Sequence, residues 1–97
     1  MTLQTKIMFK IIIAHQFTKD LKNAKKRKVD LSELSFVVNS LAEQKTLAPK
    51  YRDHKLSGVY DGFRECHIKP DWLLIYRVEK EKLELFLFRT GTHSELF

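Results

Sequence analysis

The sequence predicts an α+β domain in which an antiparallel sheet carries a helical hairpin on one face, in the order β-α-α-β-β-β. Three observations predict it. A β-branched run lies near the start of the chain, two segments with helical spacing follow, and the second half holds three apolar runs divided by tight turns. Helical and strand-rich stretches that segregate along a chain pack as separate layers.

Residues 6–14 (KIMFKIIIA) are rich in branched side chains that suit a pleated surface, and they read as the first strand. The period then changes. Ala14, Phe17, Leu21 and Ala24 recur at helical spacing, so residues 15–26 form a helix with its lysines outward. Asp30, followed three residues later by Glu33, is a capping-box-like start for a second helix. Leu34, Val37, Val38 and Leu41 form its apolar stripe, and it ends near Gln44. Residues 46–62 carry Pro49, Gly58 and Gly62 and read as an ordered loop, long enough in so small a domain to suggest a function. Residues 63–68 and 72–78 are strands joined by Lys69, Pro70 and Asp71, a turn in which proline presets φ. After a charged turn at 79–81, residues 82–90 (KLELFLFRT) are apolar on both faces, with Leu83, Leu85 and Leu87 on one and Phe86 and Phe88 on the other. A strand buried on both sides belongs inside the sheet.

Ninety-seven residues, 43% of them hydrophobic and 31% charged, make one foldable domain spanning 1–97 with no room for a second core. The single cysteine, Cys66, excludes a disulfide framework or a cysteine-rich zinc module, fits a reducing compartment and reads as a structural thiol. The apolar run at 11–14 is too short for a signal peptide or a membrane span, so a cytoplasmic location is expected. The net charge of +6 is concentrated. Lys19, Lys22, Lys25, Lys26, Arg27 and Lys28 face one acid within ten residues, while the remainder of the chain is nearly neutral. Such a patch suits nucleic acid or an acidic protein, and it is equally compatible with a solvated helix face.

The C-terminal half collects His54, His67, Asp71, Trp72, Arg89, His93 and the terminal Phe97. Taken singly, each has an ordinary structural explanation. Together they fit metal-free RNA cleavage, in which a ribose 2′-OH attacks the adjacent phosphate. Histidines can take and give the protons, an arginine can stabilise the phosphorane, and aromatic faces can hold splayed bases. A zinc site from His54, His67, His93 and Asp71 is the second chemistry, but no HxH or HExxH spacing supports it. His15 stands apart and receives no role.

The strings YRDHKLSG (51–58), FRECHIKPDWLLIYR (63–77) and RTGTHSELF (89–97) resemble the YafQ-type toxins of the RelE/YafQ superfamily of bacterial toxin–antitoxin systems. FTKDLKNAKKR (17–27) and DLSELSFVVNSLAE (30–43) are similar to the family's two helices, so the likeness runs from about Phe17 to the end. Residues 1–8 fall outside it. The resemblance implies a RelE-like, microbial-ribonuclease-like fold and a ribosome-dependent endoribonuclease that cuts mRNA in the A site. It also implies a small acidic antitoxin as partner, with operator DNA bound only through that antitoxin, and no cofactor. Carried over residue by residue, the family's site falls on His54, His67, Asp71, Arg89 and His93, with Trp72 and Phe97 positioning substrate. The cluster itself suggests His93 as general acid, Arg89 as phosphate clamp and Asp71 with His54 or His67 for the 2′-OH proton, although coupled histidines can exchange the acid and base roles. The basic face at 19–28 would meet 70S ribosomal RNA or the antitoxin. Rival classes are a non-catalytic RNA- or ribosome-binding module, a metal-dependent hydrolase and a pure interaction protein. None of them has a positive motif here.

Overall fold

Three successive isoleucines make most of β1 (Lys10–Ile13), and the chain turns at Ala14 directly into α1 (His15–Lys26). The computed structural model describes residues 7–97, so residues 1–6, which include the first residue of the expected strand and most of the N-terminal extension, lie outside it. Helix α1 is followed by α2 (Ser32–Ala42), and the long loop holds a two-residue strand, β2 (His54–Lys55). Then come β3 (Arg64–Lys69), β4 (Trp72–Glu79), β5 (Glu84–Gly91) and a final short helix, α3 (His93–Leu96). The sheet order is β1-β5-β4-β3-β2.

Four of these strands are antiparallel, as the sequence suggested, but β1 pairs with β5 in parallel. No hairpin ties β1 to β5, so the long intervening chain leaves the direction of that pairing free. Strand β5 is interior, with β1 on one side and β4, the middle strand, on the other. It begins later than its apolar run: Leu83 sits in a left-handed turn at φ 53° and is exposed rather than inward. The capping box at Asp30 and Glu33 is also replaced. Asp30 accepts from the Ser32 amide at 2.9 Å, which lowers its carboxyl pKa, while Glu33 accepts from the Tyr51 hydroxyl at 2.9 Å.

Side-chain alternation divides the sheet into two faces. Cys66, Ile68, Trp72, Leu74, Tyr76, Leu85 and Leu87 join Phe17, Ala24, Leu34, Val37 and Leu41 in the main core beneath the helices. Leu73, Ile75 and Leu96 form a smaller cluster on the other side with Tyr60, Phe63 and Phe88 packed against it. Burial pushes the Cys66 thiol up to about 12, which keeps it an inert core group.

Asp20 was not foreseen as a core residue, yet it is 7% exposed. It falls on the stripe of Phe17 and Ala24 and reaches β5 beyond the end of β1. There it accepts the Thr90 amide at 3.1 Å and the Arg89 guanidinium at 2.9 and 3.2 Å. Replacing Asp20 with alanine leaves a buried amide unpaired and frees a partly buried cation, at an expected cost of about 2–3 kcal/mol. Urea denaturation should show that loss, and an unchanged midpoint would mean that the contact contributes nothing to folding.

Candidate functional site

Two rows of residues cross the face of the sheet away from the helices. In the first, His54 pairs with Glu65, Glu65 with Ile75, and Ile75 with Arg89. In the second, two residues along, His67 pairs with Leu73 and Leu73 with Gly91, just before His93. With strands about 4.8 Å apart, the patch measures roughly 14 Å across the strands and about 7 Å along them.

Glu65 lies at its centre, 6% exposed, between two imidazoles. Its Oε1 is 3.4 Å from Nε2 of His54 and 3.5 Å from Nε2 of His67, just beyond a normal hydrogen bond. The other His67 nitrogen, Nδ1, is buried with no hydrogen-bond partner among the described residues. His54 Nδ1 sits 2.7 Å from the Arg52 carbonyl oxygen, and a carbonyl only accepts, so Nδ1 carries a proton. A neutral His54 therefore turns a lone pair toward Glu65. Glu65 thus stands within 3.5 Å of both imidazoles and ties His54 and His67 into one cluster.

At the opposite flank the guanidinium of Arg89 is held by Asp20, and that bond raises its pKa. Helix α3 carries His93 and is fixed by a full capping box: Thr92 accepts from the Glu95 amide, and the Thr92 amide donates to Glu95 at 2.8 Å. These bonds lower the Glu95 pKa, and Arg27 adds an ion pair to Glu95 at 3.1 Å. Exposed His93 stacks on Phe97, with ring centres 4.8 Å apart and planes 28° apart. Phe97 meets Tyr60 edge-on at 5.3 Å, and the Tyr60 hydroxyl donates to the Leu96 carbonyl at 3.1 Å.

Three of the expected residues are placed differently. Trp72 is 8% exposed and belongs to the helix-side core, so it does not share a face with the histidines. Asp71 is exposed at the β3–β4 turn and lines a small cleft with Leu34 and Trp72. Arg27 leaves the basic patch to contact Glu95 and to lie 5.6 Å above the Trp72 ring. Lys19, Lys22, Lys25, Lys26 and Lys28 remain exposed.

A family model described as the bacterial toxin of type II toxin–antitoxin system, YafQ, matches residues 9–97. The chain belongs to the YafQ toxin family. It is 40% identical over 83 residues to the mRNA interferase toxin YafQ of Escherichia coli K12, covering 84% of this chain and 88% of that one. A crystal structure of a metal-bound toxin from Helicobacter pylori, 51% identical, covers 93% of this chain and 100% of its own with a TM-score of 0.87. The toxin fold of the E. coli DinJ-YafQ toxin-antitoxin complex matches at 39% identity and a TM-score of 0.84, covering 94% and 99% of the two chains.

In this member of the YafQ family the four residues weighed as a zinc site do not converge. Among the described residues no group of three or more His, Cys, Asp or Glu side chains is arranged to hold a metal ion. Two residues of the site escaped the sequence reading. Glu65 alternates with His67 on β3 and so had to share its face, and Asp20 is the lone acid on a basic helix. Trp72→Ala should cost about 3–5 kcal/mol of stability, read from urea denaturation, whereas Trp72→Phe should retain most of it. A folded Trp72→Ala protein with a wild-type midpoint would remove Trp72 from the core and return it to substrate positioning.

Proposed function

We propose that this YafQ-family chain is an mRNA interferase that cuts mRNA in the ribosomal A site and so inhibits translation. The observation that carries the proposal is the row that crosses four strands from His54 through Glu65 and Ile75 to Arg89, with His67 beside it and His93 beyond its far end. A phosphodiester bound on that patch has a proton acceptor on one side, and a cation and a second histidine on the other.

In this reading the His54, Glu65 and His67 set removes the proton of the 2′-OH. The 2′-oxygen bonds to phosphorus and the bond from phosphorus to the 5′-oxygen breaks, leaving a 2′,3′-cyclic phosphate. His93 delivers a proton to the departing oxygen. Arg89, oriented by Asp20, meets the extra charge of the phosphorane. Glu65 takes the part expected of Asp71, because Glu65 stands between the imidazoles. The exposed pair of His93 and Phe97 offers a stacking surface for a base. The scheme balances without a metal ion.

The lysine face of α1 supplies sequence-independent contacts to ribosomal RNA and a counter-surface for an acidic antitoxin, and the two would compete for it. The complex of the E. coli relative with DinJ supports an antitoxin partner. Operator DNA is then reached through that partner. No described helix is long and apolar enough to cross a membrane.

The test is primer extension on a defined mRNA, with and without translating ribosomes, using wild type, His93→Ala and Glu65→Gln. Wild type should cut at a fixed place in the A-site codon only when ribosomes translate, and each variant should cut about 10²–10⁴-fold more slowly. Ribosome binding without any cutting by wild type would replace this reading with a binding module. Variants that cut at the wild-type rate would move the chemistry to other residues.

A further inference from the structure

One hydrogen bond decides where His54 keeps its proton. Because Nδ1 donates to the Arg52 carbonyl at 2.7 Å, the neutral ring keeps its lone pair on Nε2. A histidine free in water favours the opposite tautomer, so the protein imposes this one. The carbonyl that does so belongs to a residue in an uncommon conformation: Arg52 has φ 49° and ψ 43°, the left-handed region that a side chain with a Cβ rarely adopts. Such a conformation persists where the surroundings hold it in place.

The anchor is the residue between Arg52 and His54. Asp53 accepts both arms of the Arg64 guanidinium, at 3.3 and 3.2 Å, and the Tyr76 hydroxyl at 2.6 Å. Arg64 lies on β3 and Tyr76 on β4, where Tyr76 is 1% exposed, so both partners are fixed in the sheet. Burial, then the bond to Asp53, push the Tyr76 phenol well above its usual range, which keeps the hydroxyl a donor. The strand that follows is only two residues long and is paired only with β3, so β2 alone is a weak support for an exposed imidazole.

We propose that Asp53 is a positioning residue for His54: tied to Arg64 and Tyr76, it holds the 52–54 segment so that the Arg52 carbonyl fixes the Nδ1–H tautomer and Nε2 faces Glu65. The proposal rests on the ribonuclease reading for the use made of His54, whereas the tautomer is a property of the folded chain alone. Asp53 touches no substrate in this account. It acts through its neighbour.

Long-range proton–nitrogen correlation NMR on the full chain separates the two nitrogens of each imidazole. Spectra are taken in mildly alkaline buffer, where histidine is neutral. Wild-type His54 should carry its proton on Nδ1. In Asp53→Ala the His54 signals should move toward the Nε2–H pattern, while those of His15 and His93 stay in place. If Asp53→Ala does not fold, Tyr76→Phe decides, since it removes one hydroxyl and leaves the ring, and the same movement is expected at smaller amplitude. Unchanged His54 signals in the deciding variant overturn the proposal, as does a wild-type His54 protonated on Nε2. In the ribosome assay the deciding variant should lose about a hundredfold in kcat with KM retained. A wild type that has the Nδ1–H tautomer but cuts no mRNA removes the ribonuclease reading and leaves Asp53 in its positioning role.

Discussion

Register across β3, β4 and β5 is the constraint on which both core and site depend. Side chains alternate with a period of two, so a one-residue slip of β3 would carry Glu65 and His67 under the helices and expose Cys66 and Ile68. The apolar set on the helix side forbids that slip. The same pairing that buries Cys66 against Leu74 therefore lines up His54, Glu65, Ile75 and Arg89 on the opposite face. Packing on one side of the sheet specifies chemistry on the other.

Elements outside the strands then adjust what the register places. Asp20 reaches from α1 to orient Arg89, and the capped α3, tied through Arg27 and Tyr60, presents His93 and Phe97. The basic helix thus has two tasks. Its lysines face outward, while Asp20 and Arg27 both brace the flank of the site that carries Arg89 and His93. A patch that looks uniform as net charge is divided by geometry into an exposed lysine face and a scaffold.

Much of this was legible in the sequence. The two helices and the interior position of β5 could be read from period and spacing, because those signals are local, while the histidine-bearing strings stood out by their resemblance to the family. The direction of β1 could not be read, since nothing in a four-residue strand encodes the polarity of a partner about seventy positions away. Strand β2 is too short to have a period. Trp72 was assigned to substrate because its string matched, yet it shares parity with Leu74 and Tyr76 and so faces the helices. Helix α3 and Glu65 were within reach, the first through Thr92 and Glu95 in capping-box spacing, the second through its alternation with His67.

The central claim is that the sheet face directs a ribose hydroxyl, rather than water, at phosphorus. Analysis of the ends of ribosome-bound mRNA after cutting tests it most directly. The account predicts a 2′,3′-cyclic phosphate on the upstream fragment and a 5′-hydroxyl on the downstream one. A 3′-hydroxyl facing a 5′-phosphate would mean that water is the nucleophile, and would contradict it.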